Sequence, residues 1–173
     1  MPADRSYVFL DVDGVLIPFA ARATGRSPSS HRAAHLDAIG NPLLERVDPE
    51  DGRRLLALDC QLVWATTWMA EANDVVAPLL GLPELPVVPW PDSDDEPPRG
   101  VHWKTPFLTG WAAGRTFVWL DDEISDRDRQ WVSGHHPGKA LLHRVDPRLG
   151  LTDADFSTVR QWLAVDGGKA TPM

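Results

Sequence analysis

Two short apolar runs, each ending in a pair of carboxylates, constrain this chain more than any other feature. The first is Tyr7-Val8-Phe9-Leu10, followed by Asp11-Val12-Asp13-Gly14; the second is Phe117-Val118-Trp119-Leu120, followed by Asp121-Asp122. Runs of this length, rich in β-branched and aromatic residues, predict strands buried on both faces, as in a parallel sheet. Such strands end at the carboxyl edge of the sheet, where α/β proteins gather their ligands. Four carboxylates on one edge repel one another unless a cation sits among them. An all-oxygen set predicts Mg²⁺, which takes oxygen ligands and commonly shares them with a phosphate.

The rest of the chain alternates strand-like and helix-like segments. Apolar runs cover residues 61–65, 115–120 and 139–145, and helical spacing or caps mark 49–58, 68–80, 104–113, 125–132 and 152–163. Asp48 before Pro49 is a good N-cap with proline at the first helical position. Gly81 closes the second helix, and Thr152 or Asp153 caps the last. This alternation predicts a three-layer α/β/α fold, with a mainly parallel sheet and helices on both faces. At 173 residues the chain fits one domain, residues 1–166, with a frayed tail over 167–173. Residues 15–47 carry Pro18, Gly25, Pro28, Gly40 and Pro42 and predict a flap or minimal cap. The acidic run Asp92-Ser93-Asp94-Asp95-Glu96 reads as a solvated loop rather than a metal site.

Composition narrows the setting. A hydrophobic fraction of 43% supports a core, yet no apolar stretch is long enough to cross a bilayer. The first strand follows Met1 too closely for a signal peptide, and the single Cys60 allows no intrachain disulfide. Both features point to a cytoplasmic protein in which Cys60 is a small core residue. The net charge of −8 argues against a broad electrostatic grip on nucleic acid. One segment runs the other way: Arg22, Arg26, His31, Arg32 and His35 precede any acid until Asp37. It reads either as a solvated loop or as a basic flap that meets an anionic substrate. Trp64, Trp119 and Trp162 fall in predicted strands and a helix and read as core.

Between the acidic clusters lie two further signals. Leu62-Val63-Trp64-Ala65 ends in the hydroxyls of Thr66 and Thr67, and Val101-His102-Trp103-Lys104 puts a lysine at a helix start. The chain has only Lys104, Lys139 and Lys169 against fourteen arginines. A positive charge at a helix N-terminus is disfavoured unless an anion accompanies it.

Asp-x-Asp-Gly, then a strand-end threonine, then lysine, then Asp-Asp resembles the haloacid dehalogenase (HAD) superfamily of phosphotransferases. The resemblance implies a HAD-type Rossmannoid fold and a Mg²⁺-dependent phosphatase working through an aspartyl phosphate. Asp11 would be the nucleophile, and Asp13 the acid for the leaving oxygen and then the base for water. Thr66 would hydrogen-bond the phosphoryl oxygens, with Thr67 its one-residue alternative, and Lys104 would neutralise them. Asp11, Asp13, Asp121 and Asp122 would surround the metal. Asp122 is preferred as direct ligand and Asp121 as the bridge to Lys104, without excluding the reverse. Residues two apart on a strand face the same way, so Asp11 and Asp13 can serve one substrate.

Within the superfamily, Asp-Val-Asp-Gly-Val-Leu at 11–16, Val-Trp-Ala-Thr-Thr-Trp at 63–68, Glu71-Ala72-Asn73, Leu79-Leu80-Gly81-Leu82-Pro83, Trp103-Lys104 and Trp119-Leu120-Asp121-Asp122 resemble the HAD domains of Swiss Army knife RNA-repair proteins. Ile17-Pro18 stands where an Asn-Pro is expected. That resemblance implies terminal phosphates of nucleotides or nucleic acids as substrates. Arg22, Arg26, Arg32 and Trp68 would then be substrate-binding residues, and Trp90 and Trp103 further stacking candidates. Repair partners would be separate proteins, since the chain has no room for attached ligase or kinase domains. A small-metabolite phosphatase and a non-catalytic phosphate-binding module are the alternatives. A dehalogenase needs neither Asp13 nor the Asp-Asp pair, and receiver domains order their motifs differently.

Overall fold

The computed structural model describes residues 5–20, 42–92 and 95–166. Four parallel strands form one sheet: β1 (Tyr7–Leu10), β2 (Gln61–Trp64), β3 (Phe117–Asp121) and β4 (Ala140–Arg144), in the order β2-β1-β3-β4. The helices are α1 (Pro49–Leu56), α2 (Ala77–Leu80), α3 (Lys104–Ala112), α4 (Asp126–His135) and α5 (Asp153–Val165). Alternation along each strand builds two cores. Val8, Leu10, Leu62, Trp64, Val118 and Leu120 face one side, with Leu55 of α1, Leu79 of α2 and Phe156 of α5. Phe9, Val63, Phe117, Trp119 and Leu142 face the other, with Leu108 of α3 and Val132 of α4. The steps β1→β2 and β3→β4 run in opposite directions across the sheet, and α1 and α4 lie on opposite faces. A single crossover hand requires that arrangement.

Local chemistry explains most boundaries. Asp48 accepts the Glu50 N–H, and Pro49 opens α1. Ser125 with Asp128, and Thr152 with Asp155, form reciprocal capping boxes on α4 and α5. Cys60 is buried at the start of β2, and burial pushes its thiol up to about 12, so it is an inert core residue. Among the described residues, no helix is long and apolar enough to cross a membrane.

The segment expected to be one helix over 68–80 differs. Turns occupy 67–70, Glu71 is a single helical residue, a wide π-helical turn spans Ala72–Val76, and α2 follows. Pro78 has no N–H to donate, and its ring crowds the carbonyl four residues back. The wider turn relieves that crowding, with the Ala77 N–H reaching back to the Ala72 carbonyl. Asn73 rides on this turn and clamps the fold: its Oδ1 accepts the buried Trp64 indole N–H at 2.8 Å and the Leu85 N–H at 2.9 Å.

The proline-rich stretch after Gly81 runs along the sheet before it reaches the acidic run. Trp64 N–H donates to the Pro86 carbonyl at 2.8 Å and Val88 N–H to the Trp64 carbonyl at 2.9 Å, covering the free edge of β2. Asp92, Asp95 and Glu96 are exposed, as expected of the acidic run. The flap expected over 15–47 lies mostly outside the described residues, and the tail over 167–173 lies wholly outside them.

α1 and α2 meet at Gly52, where a β-carbon would sit 1.8 Å from the Leu80 carbonyl oxygen. Gly52→Ala should therefore cost about 3 kcal/mol or more in chemical denaturation, because the obstacle is backbone. Gly134→Ala, in α4 with nothing within 4 Å of the added methyl, should be neutral or stabilising by up to ~1 kcal/mol. Equal effects at the two sites would refute the packing explanation.

Candidate active site

The carboxyl edge of the sheet collects the predicted residues from four elements. Asp11 follows β1, Thr66 closes β2, Asp121 ends β3 and Lys104 opens α3. All four are at least nine-tenths buried. Lys104 Nζ lies 3.0 Å from Asp121 Oδ2, 3.3 Å from Asp11 Oδ1 and 3.1 Å from the Ala65 carbonyl oxygen. An ammonium has three protons to give, and three acceptors surround it. Burial opposes the lysine's charge, but Asp11 and Asp121 outweigh it and hold its pKa above the ordinary value.

A closed circuit of hydrogen bonds fixes the start of α3 against the end of β3. Asp121 Oδ1 accepts the Glu123 N–H at 2.9 Å, and Glu123 Oε2 lies 2.8 Å from His102 Nε2. His102 Nδ1 accepts the Lys104 N–H at 3.1 Å, and the Lys104 ammonium returns to Asp121. With Nδ1 accepting, the neutral imidazole carries its proton on Nε2 and donates to Glu123. Fully buried Asp128 adds a second tie, accepting from His102 N–H and Thr105 Oγ1 of the α3 start and from Ser125 of the α4 cap. Nothing in the sequence marks His102, Glu123 or Asp128 as a site residue. Only the Ser125-x-x-Asp128 spacing signals part of this, as a cap.

Asp11, Asp121 and Asp122 each bring one carboxylate oxygen to within 4.8 Å of the others. Burial pushes the Asp11 carboxyl up to about 7, against the pull of Lys104 and with help from Asp121. Burial and then the charge of Asp121 lift Asp122 to about 6. A cluster that resists ionisation unless a cation joins it, built from oxygen donors alone, fits Mg²⁺. The Asp13 carboxylate lies outside this set, and its Oδ2 accepts the Trp68 indole N–H at 3.1 Å. Gly14 makes the crowding possible: it has φ +76°, and a β-carbon there would lie 2.7 Å from Asp122 Oδ2.

Thr66 and Thr67 now separate. Thr66 is fully buried, its Oγ1 accepting the Trp68 backbone N–H at 3.2 Å and its carbonyl the Trp90 indole N–H at 2.9 Å. Thr67 is exposed beside it. Trp103 is 37% exposed, meets Trp90 edge to face at 5.0 Å and has its ring 5.9 Å from Lys104 Nζ. Arg22, Arg26 and Arg32 lie outside the described residues.

A parallel α/β/α sheet with this carboxylate and lysine edge defines a HAD-type domain. The model of the HAD domain in Swiss Army Knife RNA repair proteins matches residues 7–156, and the chain belongs to that family. Comparisons with curated proteins and with solved structures found no match. Family membership supports a hydrolase role.

The raised carboxyls give a signed pH effect. Unfolded Asp titrates near roughly pH 4, so between about pH 4 and 7 Asp11 and Asp122 together hold more protons in the metal-free folded chain than in the unfolded one. Its stability therefore falls as pH rises through that window. Asp128 acts in the opposite sense: burial opposes its charge, but hydrogen bonds from Thr105, Ser125 and His102 outweigh burial and lower its pKa, so its contribution is lost only below about pH 4. The metal-free protein should melt at a higher temperature at pH 5 than at pH 7.5, and Asp122→Asn should shrink that difference. An unchanged difference in Asp122→Asn would exclude this carboxyl as a source.

Proposed function

We propose that this chain is a Mg²⁺-dependent phosphomonoesterase that works through an aspartyl phosphate on Asp11. The observation that supports this reading most is the buried Lys104 ammonium joining Asp11 to Asp121. Asp11 Oδ1 accepts from the Val12 N–H at 2.8 Å and from Lys104, which leaves Oδ2 for attack. Asp11 Oδ2 bonds to phosphorus while the bond from phosphorus to the leaving oxygen breaks, and Asp13 gives that oxygen its proton. Asp13, now a carboxylate, takes a proton from water as the water oxygen attacks phosphorus. The bond to Asp11 then breaks and inorganic phosphate leaves.

Two carboxylates and a phosphate dianion repel each other, so the attack needs positive charge at the equatorial oxygens. Lys104 supplies part of it. Asp11, Asp121 and Asp122 would hold Mg²⁺, which when bound would supply the rest as a Lewis acid. Thr66 uses its oxygen to accept from Trp68, which frees its proton for a phosphoryl oxygen, and exposed Thr67 stands next to it. Asp11→Asn should abolish p-nitrophenyl phosphate hydrolysis with no change in fold by circular dichroism. Asp13→Asn should slow leaving-group departure from an alkyl phosphate, whose oxygen depends on the acid, by roughly two to four orders of magnitude. Hydrolysis without added divalent metal, or near-normal turnover by Asp11→Asn, would sink the mechanism.

For the substrate we favour a terminal phosphate on a nucleotide or nucleic acid. The Trp90–Trp103 pair beside Lys104 supports this, because an exposed indole next to a phosphate site suits a stacked base. The repair context carried by the family points the same way, with repair proteins as partners. A small phosphorylated metabolite is the alternative. Neutralising Arg22, Arg26 and Arg32 together should reduce oligonucleotide turnover far more than p-nitrophenyl phosphate turnover. Equal loss on both, or none on either, would favour the metabolite.

A further inference from the structure

We infer that Trp68 is a positioning residue that sets which oxygen of Asp13 carries the transferable proton. This rests on Asp13 being the acid and base of the proposed reaction. The Trp68 indole N–H donates to Asp13 Oδ2 at 3.1 Å, across 55 positions of sequence. An indole nitrogen can only donate, so the oxygen it holds must accept and the acidic proton belongs on Oδ1. In leaving-group departure the Oδ1–H bond breaks and the proton passes to the leaving oxygen. In the second displacement Oδ1 takes the proton of the attacking water, while the indole keeps the carboxylate from turning.

The backbone around Trp68 is strained in the way such a role needs. Met69 has φ +54°, a left-handed conformation that a side-chain-bearing residue rarely adopts. The turn is held by Met69 N–H on the Thr66 carbonyl at 3.2 Å and Trp68 N–H on Thr66 Oγ1 at 3.2 Å. A relaxed helix start would carry Trp68 along the helix surface; the turn instead keeps its indole on Asp13 and its ring against the core. Strain that persists next to reacting groups is commonly part of how a site is organised. Trp68 therefore ties the phosphate-facing Thr66 to Asp13 and acts through Asp13 rather than by stacking on a substrate.

The test compares kcat/KM, which reports steps through leaving-group departure, on two substrates. p-Nitrophenyl phosphate has a leaving group that needs little protonation, whereas glycerol 2-phosphate depends on the acid. Trp68→Phe should lower kcat/KM on glycerol 2-phosphate roughly tenfold to hundredfold, a part of the full worth of acid catalysis, and on p-nitrophenyl phosphate less than about threefold. Asp13→Asn should show the same selectivity, more strongly. Should Trp68→Phe not fold, the benzothiophene analogue of tryptophan at position 68 keeps the bicyclic shape, lacks only the N–H and should show the same selective loss. Equal loss on both substrates, or no loss, overturns the positioning role. Selectivity in Asp13→Asn without it at Trp68 overturns this inference alone, whereas no selectivity in Asp13→Asn removes the acid reading and this inference with it.

Discussion

The buried Lys104 ammonium is the contact on which the rest of this structure depends. It reaches the ends of three adjacent strands at once: Asp11 after β1, the Ala65 carbonyl after β2 and Asp121 at the end of β3. A lone buried cation costs several kcal/mol, and so does each buried carboxylate. Together they are tolerable because every ammonium proton has an acceptor and each partner offsets the other's charge. The unfavourable placement of a cation at a helix start is met in the same way, by Asp11 and Asp121 in front of it and Asp128 beside it.

Three carboxylates, those of Asp11, Asp121 and Asp122, gather around the single Lys104 ammonium. Asp11 and Asp122 hold on to protons well above the ordinary carboxyl range because burial, and after it the charge of Asp121, disfavour their ionisation. A site left in that condition is suited to receive a hard cation and a phosphate together, each of which satisfies what the other lacks. Stability of the metal-free fold and readiness to take up a cation thus pull against each other here. The same carboxylates that weaken the metal-free fold near neutral pH are those that would hold the metal.

Much of this was legible from residues alone. The alternation of Val8, Leu10 and Phe9 announced a strand with two buried faces, and Val8 and Leu10 do lie in one core with Phe9 in the other. The meeting of Lys104 with Asp11 followed from motif order. The apolar residues over 68–80 keep helical spacing, and that spacing predicts a regular helix. Pro78 and the left-handed Met69 broke that regularity, and spacing carries no record of either effect. The His102–Glu123 link was invisible for another reason: an exposed glutamate and a histidine twenty-one positions apart become partners only when β3 delivers one to the start of α3.

What the sequence determined by itself is the kind of chain this is. Apolar runs of strand length and capped helices impose a parallel α/β sheet, and an Asp-x-Asp, Thr, Lys, Asp-Asp order puts carboxylates, a hydroxyl and an ammonium at one edge. Periodicity and motif order are local properties, and local physics reads them. Tertiary structure alone decided which groups touch. It put the proton-donating indole of Trp68 on Asp13, separated buried Thr66 from exposed Thr67, and left Gly14 no room for a side chain beside Asp122. Those outcomes depend on distances of about three ångströms between segments far apart in the chain, which only the packed sheet sets.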